Sequence, residues 1–394
     1  MEVIVFDLVP YAEHLFEGGE MPWPLPRTHF DPQVGVRTYQ EHLDAWAELD
    51  RLGYDGVGFN EHHTSPYGLM TSPNLLASAA IQRTERLKLC VYGNLPAIQE
   101  PVRLAEELAM LDCMSNGRIV CGLARGIPRE HQVYGVPLTE VRGRFEEAWD
   151  IIRGLWTEEV FSYEGRFWSY RDVAIWPRPV QQPHPPIWVP ISSSKESIEW
   201  AGRNDASITP GGLHRGLRED VVRYYARCLR EHGHTLTPGH LHLQINAYVA
   251  DSKEQAIAEA GPYLLYFNEL FRHGSLVRGH EMQRQAGYVS DASLDYVRPE
   301  NRGAAEQPRS EFRGATLDEV AQQAQAWPWG TADEVVERIL GEAEHFGAGK
   351  VLVNLNRGAM PQEMFLNQIH RFAEEVLPQL QAFSATRPEW LGTV

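Results

Sequence analysis

The stretch at residues 86–126, RLKLCVYGNLPAIQEPVRLAEELAMLDCMSNGRIVCGLARG, is the most informative about the fold. Its two ends, 86–96 and 118–124, are short apolar runs of the kind that form buried strands. Between them, 100–117 carries apolar residues at helical spacing and ends at a glycine. The stretch therefore predicts strand, helix and strand, and a helix between two strands normally serves as the crossover of a parallel pair.

The same alternation recurs along the chain. Further strands are predicted at 2–9, 54–60, 185–192, 205–211, 242–250 and 350–356, and further helices at 34–53, 73–84, 138–156, 194–204, 331–347 and 361–380. Alternation repeated about eight times fits a doubly wound sheet or a (β/α)8 TIM barrel. No glycine fingerprint follows the first strand and no linker interrupts the series, so we favour an α/β TIM barrel as a single domain over 1–394. A long segment before the last unit, at about 262–330, is expected to form an insertion or lid.

The composition disfavours several classes of partner. The 394 residues are 43% hydrophobic, and 36 basic against 53 acidic residues give a net charge of −17 with histidine neutral. Nucleic acid and an anionic membrane surface would both repel such a chain. No apolar run is long enough to span a bilayer and the N-terminus lacks a basic signal-peptide region, so we expect a cytoplasmic protein. The four cysteines show no CxxC spacing, and neither a zinc site nor a disulfide framework is indicated.

A carboxylate and two histidines follow the predicted strand at 54–60, within the sequence GFNEHHTSPYG at 58–68. The carboxyl ends of TIM-barrel strands carry the active site, so Glu61, His62 and His63 stand where function is expected. Three interpretations stay open at this point: a metal site, simple packing, or one histidine that acts as an acid, base or hydrogen-bond donor in a cofactor pocket. Neighbouring strand residues point to opposite faces and no HxH or HExxH spacing appears, which weakens the metal interpretation. From the spacing alone, simple packing is favoured.

Two further segments have features of a phosphate site. Arg125 follows the predicted strand at 118–124, and an arginine fork there suits a phosphate, although a salt bridge on the rim explains it equally well. Ser192, Ser193 and Ser194 precede the predicted helix at 194–204, and Ser197 lies in its first turn. A helix N-terminus with several hydroxyl groups favours phosphate binding, whereas N-capping alone needs only one serine.

These motifs occur in the order and spacing of a known family. The EHH at 61–63, the segment PVRLAEELAMLD at 101–112 and the pattern S.S..S.EWAG at 192–202 together resemble the bacterial-luciferase-like, flavin-dependent monooxygenases. The resemblance covers 1–250, lapses over about 262–325 and then resumes. Two positions depart from luciferase itself, Ala124 in place of a reactive cysteine and Ser193 in place of a glutamate, so we do not expect a light emitter.

The resemblance implies a site and a cofactor. It implies a TIM barrel that binds reduced FMN, with His62 as the catalytic histidine beside the flavin and Glu61 as a group that orients it. The residues implied in cofactor binding are Tyr92, Asn94, Arg125, Ser193, Ser194 and Ser197. The segment at 91–94 matches a place where the family often has a non-prolyl cis peptide.

The reaction implied by the resemblance is that of a two-component monooxygenase. Reduced FMN from a separate flavin reductase would react with O2, the co-substrate, through a flavin C4a-hydroperoxide, and would oxygenate a small, largely apolar organic substrate. A homodimer is implied, through the helices predicted at 73–84 and 100–117. The aromatic residues expected to wall a dry pocket are Phe6, Trp23, Phe59, Tyr92, Tyr266 and Phe267.

Three alternatives remain. An F420-dependent oxidoreductase on the same fold would transfer a hydride without oxygen and would need a larger basic pocket for its polyanionic tail. A metal-dependent hydrolase barrel would use His62 and His63 as ligands and would hold stoichiometric metal. A non-catalytic flavin-binding subunit is disfavoured by the histidine, the phosphate-binding segments and the long insertion.

Overall fold

The computed structural model describes residues 1–12, 25–191, 193–210, 214–271, 291–303 and 316–392. Its strands, in chain order, are β1 Glu2–Asp7, β2 Gly56–Phe59, β3 Lys88–Asn94, β4 Ile119–Leu123, β5 Phe161–Glu164, β6 Ser169–Val173, β7 Ile187–Ile191, β8 Ser207–Pro210, β9 His242–Asn246, β10 Tyr248–Val249, β11 Trp329–Gly330 and β12 Lys350–Asn354. Eight of them form one parallel sheet in the order β8-β7-β4-β3-β2-β1-β12-β9, and a parallel bridge between Ile208 and Leu241 joins its two edges. The predicted TIM barrel is confirmed.

Helices cover the outside of this barrel. In chain order they are α1 Pro32–Leu52, α2 Pro73–Ile81, α3 Pro101–Ser115, α4 Pro128–Val133, α5 Val141–Thr157, α6 Lys195–Arg203, α7 Arg215–Glu231, α8 Lys253–Phe271, α9 Leu317–Ala324, α10 Ala332–Phe346, α11 Gln362–Glu375 and α12 Leu377–Ala382. Among the described ranges, none of these helices is long and apolar enough to cross a membrane.

Local sequence fixes where the helices begin and end. The Asp31 carboxylate accepts the Gln33 N–H at 2.8 Å and caps α1, while a left-handed glycine, Gly53 with φ 87°, ends it. The predicted helix at 361–380 divides at Val376, because Pro378 fits the first turn of a new helix but not the interior of an old one.

The strands bury both faces, as a parallel sheet covered by helices requires. One face packs against the helices, where the ring of Trp46 on α1 lies edge-on to Phe59 with centroids 4.9 Å apart. The other face fills the barrel. The interior side chains are Ile4, Cys90, Tyr92, Val120, Trp188 and Leu352. Since β-branched and aromatic residues fill both layers, the strands lack the polar alternation of a half-exposed sheet.

A buried polar cluster ties the end of β1 to α1. Asp7 accepts hydrogen bonds from the Trp46 indole at 2.8 Å and the Val9 N–H at 3.0 Å, and its Oδ2 lies 2.5 Å from Nδ1 of His42. Burial alone would raise the pKa of the Asp7 carboxyl, but the charge and hydrogen bond of His42 and the other two donors lower it below its usual range. The carboxylate therefore stays ionised in the core and anchors the helix.

The expected insertion at about 262–330 is described in part. Position 262 lies inside α8, and α9 and β11 occupy the far end of the segment. Residues 291–303, which we call the strap, contact α6 and α7: Tyr296 stacks on Tyr224 with ring centroids 4.9 Å apart, and Arg298 forms an ion pair with Asp220. The strap therefore lies over the helices that flank β8.

Candidate active site

His62 lies just beyond β2, in the loop that leads to α2, and its partner comes from a different unit of the barrel. Nδ1 of His62 is 2.9 Å from Oε1 of Glu130, and the other Glu130 oxygen accepts the Ile127 N–H at 2.8 Å at the start of α4. The Glu130 side chain is fully buried, whereas the imidazole is 23% exposed. Because Nδ1 faces the carboxylate, Nε2 is the ring nitrogen available to a reacting group.

The electrostatics of this pair favour a charged carboxylate. Burial by itself raises the pKa of Glu130, but the hydrogen bond and charge of His62 and the Ile127 N–H outweigh it, so that this pKa is lowered overall. An ionised carboxylate on Nδ1 fixes the orientation of the ring and favours a proton on that nitrogen. The pair can therefore hold or transfer a proton at Nε2.

Glu61 and His63 form a separate group on the other side of the loop. Nε2 of His63 is 3.0 Å from Glu61, and Nδ1 of His63 is 3.1 Å from the Tyr134 hydroxyl. Glu61 also accepts the Leu95 N–H at 3.1 Å and the Gln99 amide at 2.9 Å, and burial raises the pKa of its carboxyl. Glu61 thus does not contact His62, contrary to the expected orienting role, because consecutive residues of an extended chain point to opposite sides. It ties the end of β2 to the loop after β3 instead, beside a polar pocket of about 210 Å³.

The predicted serines meet an arginine that the sequence analysis did not single out. Arg142, in the first turn of α5, donates to the Ser194 hydroxyl at 3.1 Å and to the Ser197 hydroxyl at 3.0 Å. Both serines stand at the start of α6, where the helix dipole is positive, and the Ser197 N–H itself donates to the Ser194 carbonyl at 3.1 Å. We call Arg142, Ser194 and Ser197 the phosphate cluster, since a guanidinium, two hydroxyls and a helix N-terminus are together the usual donor set for a phosphate.

Neighbouring residues complete this end of the barrel. Glu196 accepts the Ser194 hydroxyl at 2.8 Å, and the Ser193 carbonyl accepts the Tyr296 hydroxyl of the strap at 2.9 Å. Arg125 lies two residues beyond the end of β4, beside β7, and its carbonyl accepts from the His131 ring at 2.6 Å. The predicted residues Arg125, Ser193, Ser194 and Ser197 therefore share one side of the barrel mouth.

Tyr92 and Asn94 lie apart from that group, on β3. The Tyr92 ring stacks on Trp188 at 4.0 Å inside the barrel, and its hydroxyl is 3.3 Å from a His242 ring nitrogen. The peptide bond between Tyr92 and Gly93 is cis, as the resemblance implied for this segment. Asn94 is fully buried, donates to the Asn74 side chain at 3.2 Å, and its Oδ1 has no hydrogen-bond partner within the described ranges.

The expected aromatic wall is only partly present. Tyr266 and Phe267 of α8 pack with Tyr67, and Phe6 lies at the edge of the barrel interior. Phe59 faces α1 and Tyr92 points into the barrel, so both belong to the core. Trp23 lies outside the described residues.

Glu130 and Arg142 are the functional candidates that sequence reasoning missed. Arg142 had a local signal, because a basic residue in the first turn of a helix opposes the helix dipole, and that turn of α5 contains no acidic residue. Glu130 stands three residues after Ile127, at the position of a helix-capping carboxylate. Nothing local, however, connects it with His62, which precedes it by 68 residues.

The part of the chain that the structure describes contains no set of side chains that could bind a metal ion. Among those residues, no three His, Cys, Asp or Glu side chains come together in a way that could hold an ion. His62 and His63 contact different carboxylates on opposite sides of the loop. The phosphate cluster, by contrast, has the donors that the phosphate of FMN requires.

Comparison with known families fits this geometry. The family model described as luciferase-like monooxygenase matches residues 23–348. The match covers most of the chain, including the barrel strands from β2 to β9, and the chain belongs to the luciferase-like monooxygenase family.

Two relatives illustrate how far the similarity extends. The chain is 36% identical over 193 residues to an uncharacterized protein, y4wF, of Sinorhizobium fredii, covering 48% of this chain and 56% of that protein. It is 28% identical over 242 residues to the oxygenase component of the flavin-dependent trigonelline monooxygenase of Acinetobacter baylyi, covering 60% and 67% of the two chains. The matches thus span between about half and two thirds of these relatives.

Solved structures extend the fold similarity over nearly the whole chain. The monooxygenase RslO1 of Streptomyces bottropensis is 25% identical with a TM-score of 0.70, covering 96% of this chain and 99% of that one. An F420-dependent secondary alcohol dehydrogenase has the same fold at 13% identity, with a TM-score of 0.63 and coverage of 96% and 98%. The fold therefore also occurs in an enzyme that uses F420.

Proposed function

We propose that the protein is the oxygenase component of a two-component monooxygenase, which takes reduced FMN from a separate reductase and uses O2 to oxygenate a small, largely apolar organic substrate. The observation that carries this proposal is the phosphate cluster, in which Arg142 spans the Ser194 and Ser197 hydroxyls at 3.1 and 3.0 Å. The naming of the Acinetobacter relative as a flavin-dependent oxygenase component supports it. FMN, when bound, supplies the activation of oxygen.

The protein residues have separate tasks in this proposal. The phosphate cluster and Arg125 hold the phosphate and so fix the cofactor at the β4 and β7 side of the mouth. His62 is the acid–base residue, acting through Nε2, and Glu130 is its positioning residue. Glu61 acts structurally, by fixing the loop after β3 next to the end of that strand, where Asn94 and the backbone of Tyr92 approach the cofactor.

F420 is the alternative cofactor, because its dehydrogenases share the fold. Its tail carries several negative charges, whereas two carboxylates border the phosphate cluster: Glu196 accepts the Ser194 hydroxyl at 2.8 Å, and Glu146 lies 3.9 Å from Arg142. Acidic residues beside the cluster suit a single phosphate better than a polyanionic tail. FMN is therefore the preferred cofactor.

A homodimer through α2 and α3 belongs to the same proposal. Three large apolar side chains on these adjacent helices are exposed: Leu75 by 73%, Met110 by 49% and Met114 by 44%. Large apolar side chains exposed on adjacent helices are typical of an interface. A second copy of the chain, meeting the first across a two-fold axis, would bury the same face on both subunits.

Anaerobic titration with reduced FMN tests the cofactor assignment. We expect R142M to weaken binding about tenfold or more, as the loss of a charge-assisted contact to phosphate should. R144M is the matched control: Arg144 lies two residues further along α5, pairs with Glu140 at 3.0 Å and should bind like the parent. Unchanged affinity in R142M, or tighter binding of F420 than of FMN, would contradict the proposal.

Admission of air to the complex tests the reaction class. The bound flavin should return to the oxidised form more slowly than free reduced FMN, because a dry site protects the oxygenated cofactor. Reoxidation at the rate of free FMN would argue against an oxygenase.

A further inference from the structure

We infer that the wall of the barrel mouth opposite the phosphate cluster is a binding site for a carboxylate group of the organic substrate, with Arg357 as its anchor. This inference rests on the proposed function, which makes the bound organic molecule a substrate. The binding that it predicts can be measured without any flavin.

The position of the wall follows from the order of the strands. In the closed sheet β8-β7-β4-β3-β2-β1-β12-β9, β12 lies four strands from β4, directly across the barrel. The phosphate cluster belongs to the β4 and β7 side. Asn354 ends β12, Arg357 follows it, and Asn246 ends the neighbouring β9. A cofactor held by its phosphate on the first side leaves this second side to another ligand.

Arg357 brings a positive charge to a buried place. Its side chain donates to Oδ1 of Asn246 at 2.5 Å and its guanidinium lies 4.3 Å from the centre of the Phe267 ring, while only 8% of the residue is exposed. Charges that are removed from water attract an anion more strongly, because solvent screens them less. The flat guanidinium also matches the two oxygens of a carboxylate.

Buried amides at the ends of β12 and β2 provide the independent sign of a ligand. Asn354 pairs with Asn246 in the β12–β9 ladder, so both side chains project from the same face of the sheet. Asn354 and Asn60, which follows β2, are each 2% exposed, and neither amide has a hydrogen-bond partner for its nitrogen or oxygen among the residues described. The Tyr67 hydroxyl is also buried and has no hydrogen-bond partner among the residues described. Buried polar groups are almost always paired in native proteins, so unpaired ones at a mouth indicate a polar ligand.

The apolar part of the ligand is defined by the rings between Arg357 and His62. The Tyr67 ring is 4.7 Å from the His62 ring and 6.1 Å from the Phe267 ring, centre to centre, and Phe267 in turn contacts Arg357. A substrate with its carboxylate on Arg357 would lay an apolar or aromatic body along these two rings. Its far end would then point towards Nε2 of His62, where the proposed chemistry takes place.

Calorimetric titration of the flavin-free protein with benzoate and with benzamide tests this site. The two probes have the same shape and differ in charge. We expect wild type to bind benzoate about tenfold or more tightly than benzamide, since only benzoate pairs with the cation. R357M should lose this preference, whereas R142M, which removes the cation on the opposite side, should keep it.

Three results would overturn the inference: equal binding of the two probes by wild type, loss of benzoate binding in R142M with retention in R357M, or displacement of benzoate by inorganic phosphate at equal concentration. Circular dichroism checks that R357M is folded, and R357K provides a second variant that keeps the charge and should keep the preference for benzoate. If reduced FMN fails to bind while benzoate binds through Arg357, the carboxylate site stands and the proposed function falls. The reverse result removes only the carboxylate site.

Discussion

Replacement of Glu130 by glutamine tests the central pair of the site. Glutamine has nearly the same shape as glutamate. The change therefore removes the negative charge that faces Nδ1 of His62 from 2.9 Å away, and little else. A hydrogen bond to a charged, buried group contributes about 1.5–3 kcal/mol. If the loss of this hydrogen-bond free energy raises the barrier to proton transfer by the same amount, the rate falls roughly 10- to 150-fold.

The assay is stopped-flow mixing of the reduced FMN complex with oxygenated buffer, in which the slow flavin phase is followed near neutral pH. The matched control is E147Q: Glu147 is also a buried carboxylate, but it accepts the N–H groups of Phe167 at 3.0 Å and Trp168 at 2.9 Å, in the turn between β5 and β6. E147Q should lose stability and keep the rate.

A double-mutant cycle makes the test stricter. If Glu130 acts only through His62, then E130Q should have no further effect on the rate once His62 is alanine, because residues that act as a unit are not additive. A folded E130Q protein that reacts at the wild-type rate would refute the reasoning, and so would fully additive effects.

Three further predictions concern stability and assembly. Asp7→Asn should cost about 3 kcal/mol at pH 7, because it removes a buried carboxylate that bonds to the His42 ring, the Trp46 indole and the Val9 N–H. Since the folded-state pKa of Asp7 is lowered, this stabilisation exists above pH ~4 and disappears as the pH falls through that pKa, so urea unfolding of variant and parent should converge in acid. Leu75→Glu combined with Met110→Glu should shift the elution of the protein in gel filtration from dimer to monomer, whereas elution at the parent volume would remove these helices from the interface. Tyr296→Phe deletes the hydrogen bond from the strap to a backbone carbonyl and should lower the free energy of unfolding by about 0.5–1.5 kcal/mol, which urea titration can measure against the parent.

Much of the barrel could be predicted because its signals are local. Each of the eight barrel strands lies within a predicted strand, since short apolar runs bounded by glycine, proline or charged residues suit a sheet buried on both faces. The β5–β6 hairpin was missed, because its strands are largely exposed and carry charged residues that hide the alternation. The helix α7 was missed as well, although its apolar face is regular, since its sequence contains many arginines.

The sequence predicted only those site residues that follow the carboxyl ends of the barrel strands. The end of β2 and the start of α6 carry His62 and the serines, and the rule for barrel active sites points to both. The pairing partners come from distant parts of the chain: Glu130 reaches His62 from α4, and Arg142 reaches the serines from α5. Such contacts depend on how the helices pack, which a single sequence does not record.

His62 and His63 are adjacent, yet the structure makes them chemically unequal. Both ring nitrogens of His63 take part in hydrogen bonds, with Glu61 and Tyr134. Among the residues that the structure describes, His62 is bonded through Nδ1 alone, and it is the more exposed of the two. An electrophilic reagent that acylates imidazole requires a nitrogen lone pair that it can reach, and only His62 offers one. Covalent labelling of this dipeptide would thus be selective for one of two identical neighbours, with a selectivity set by the two carboxylates and the tyrosine around them.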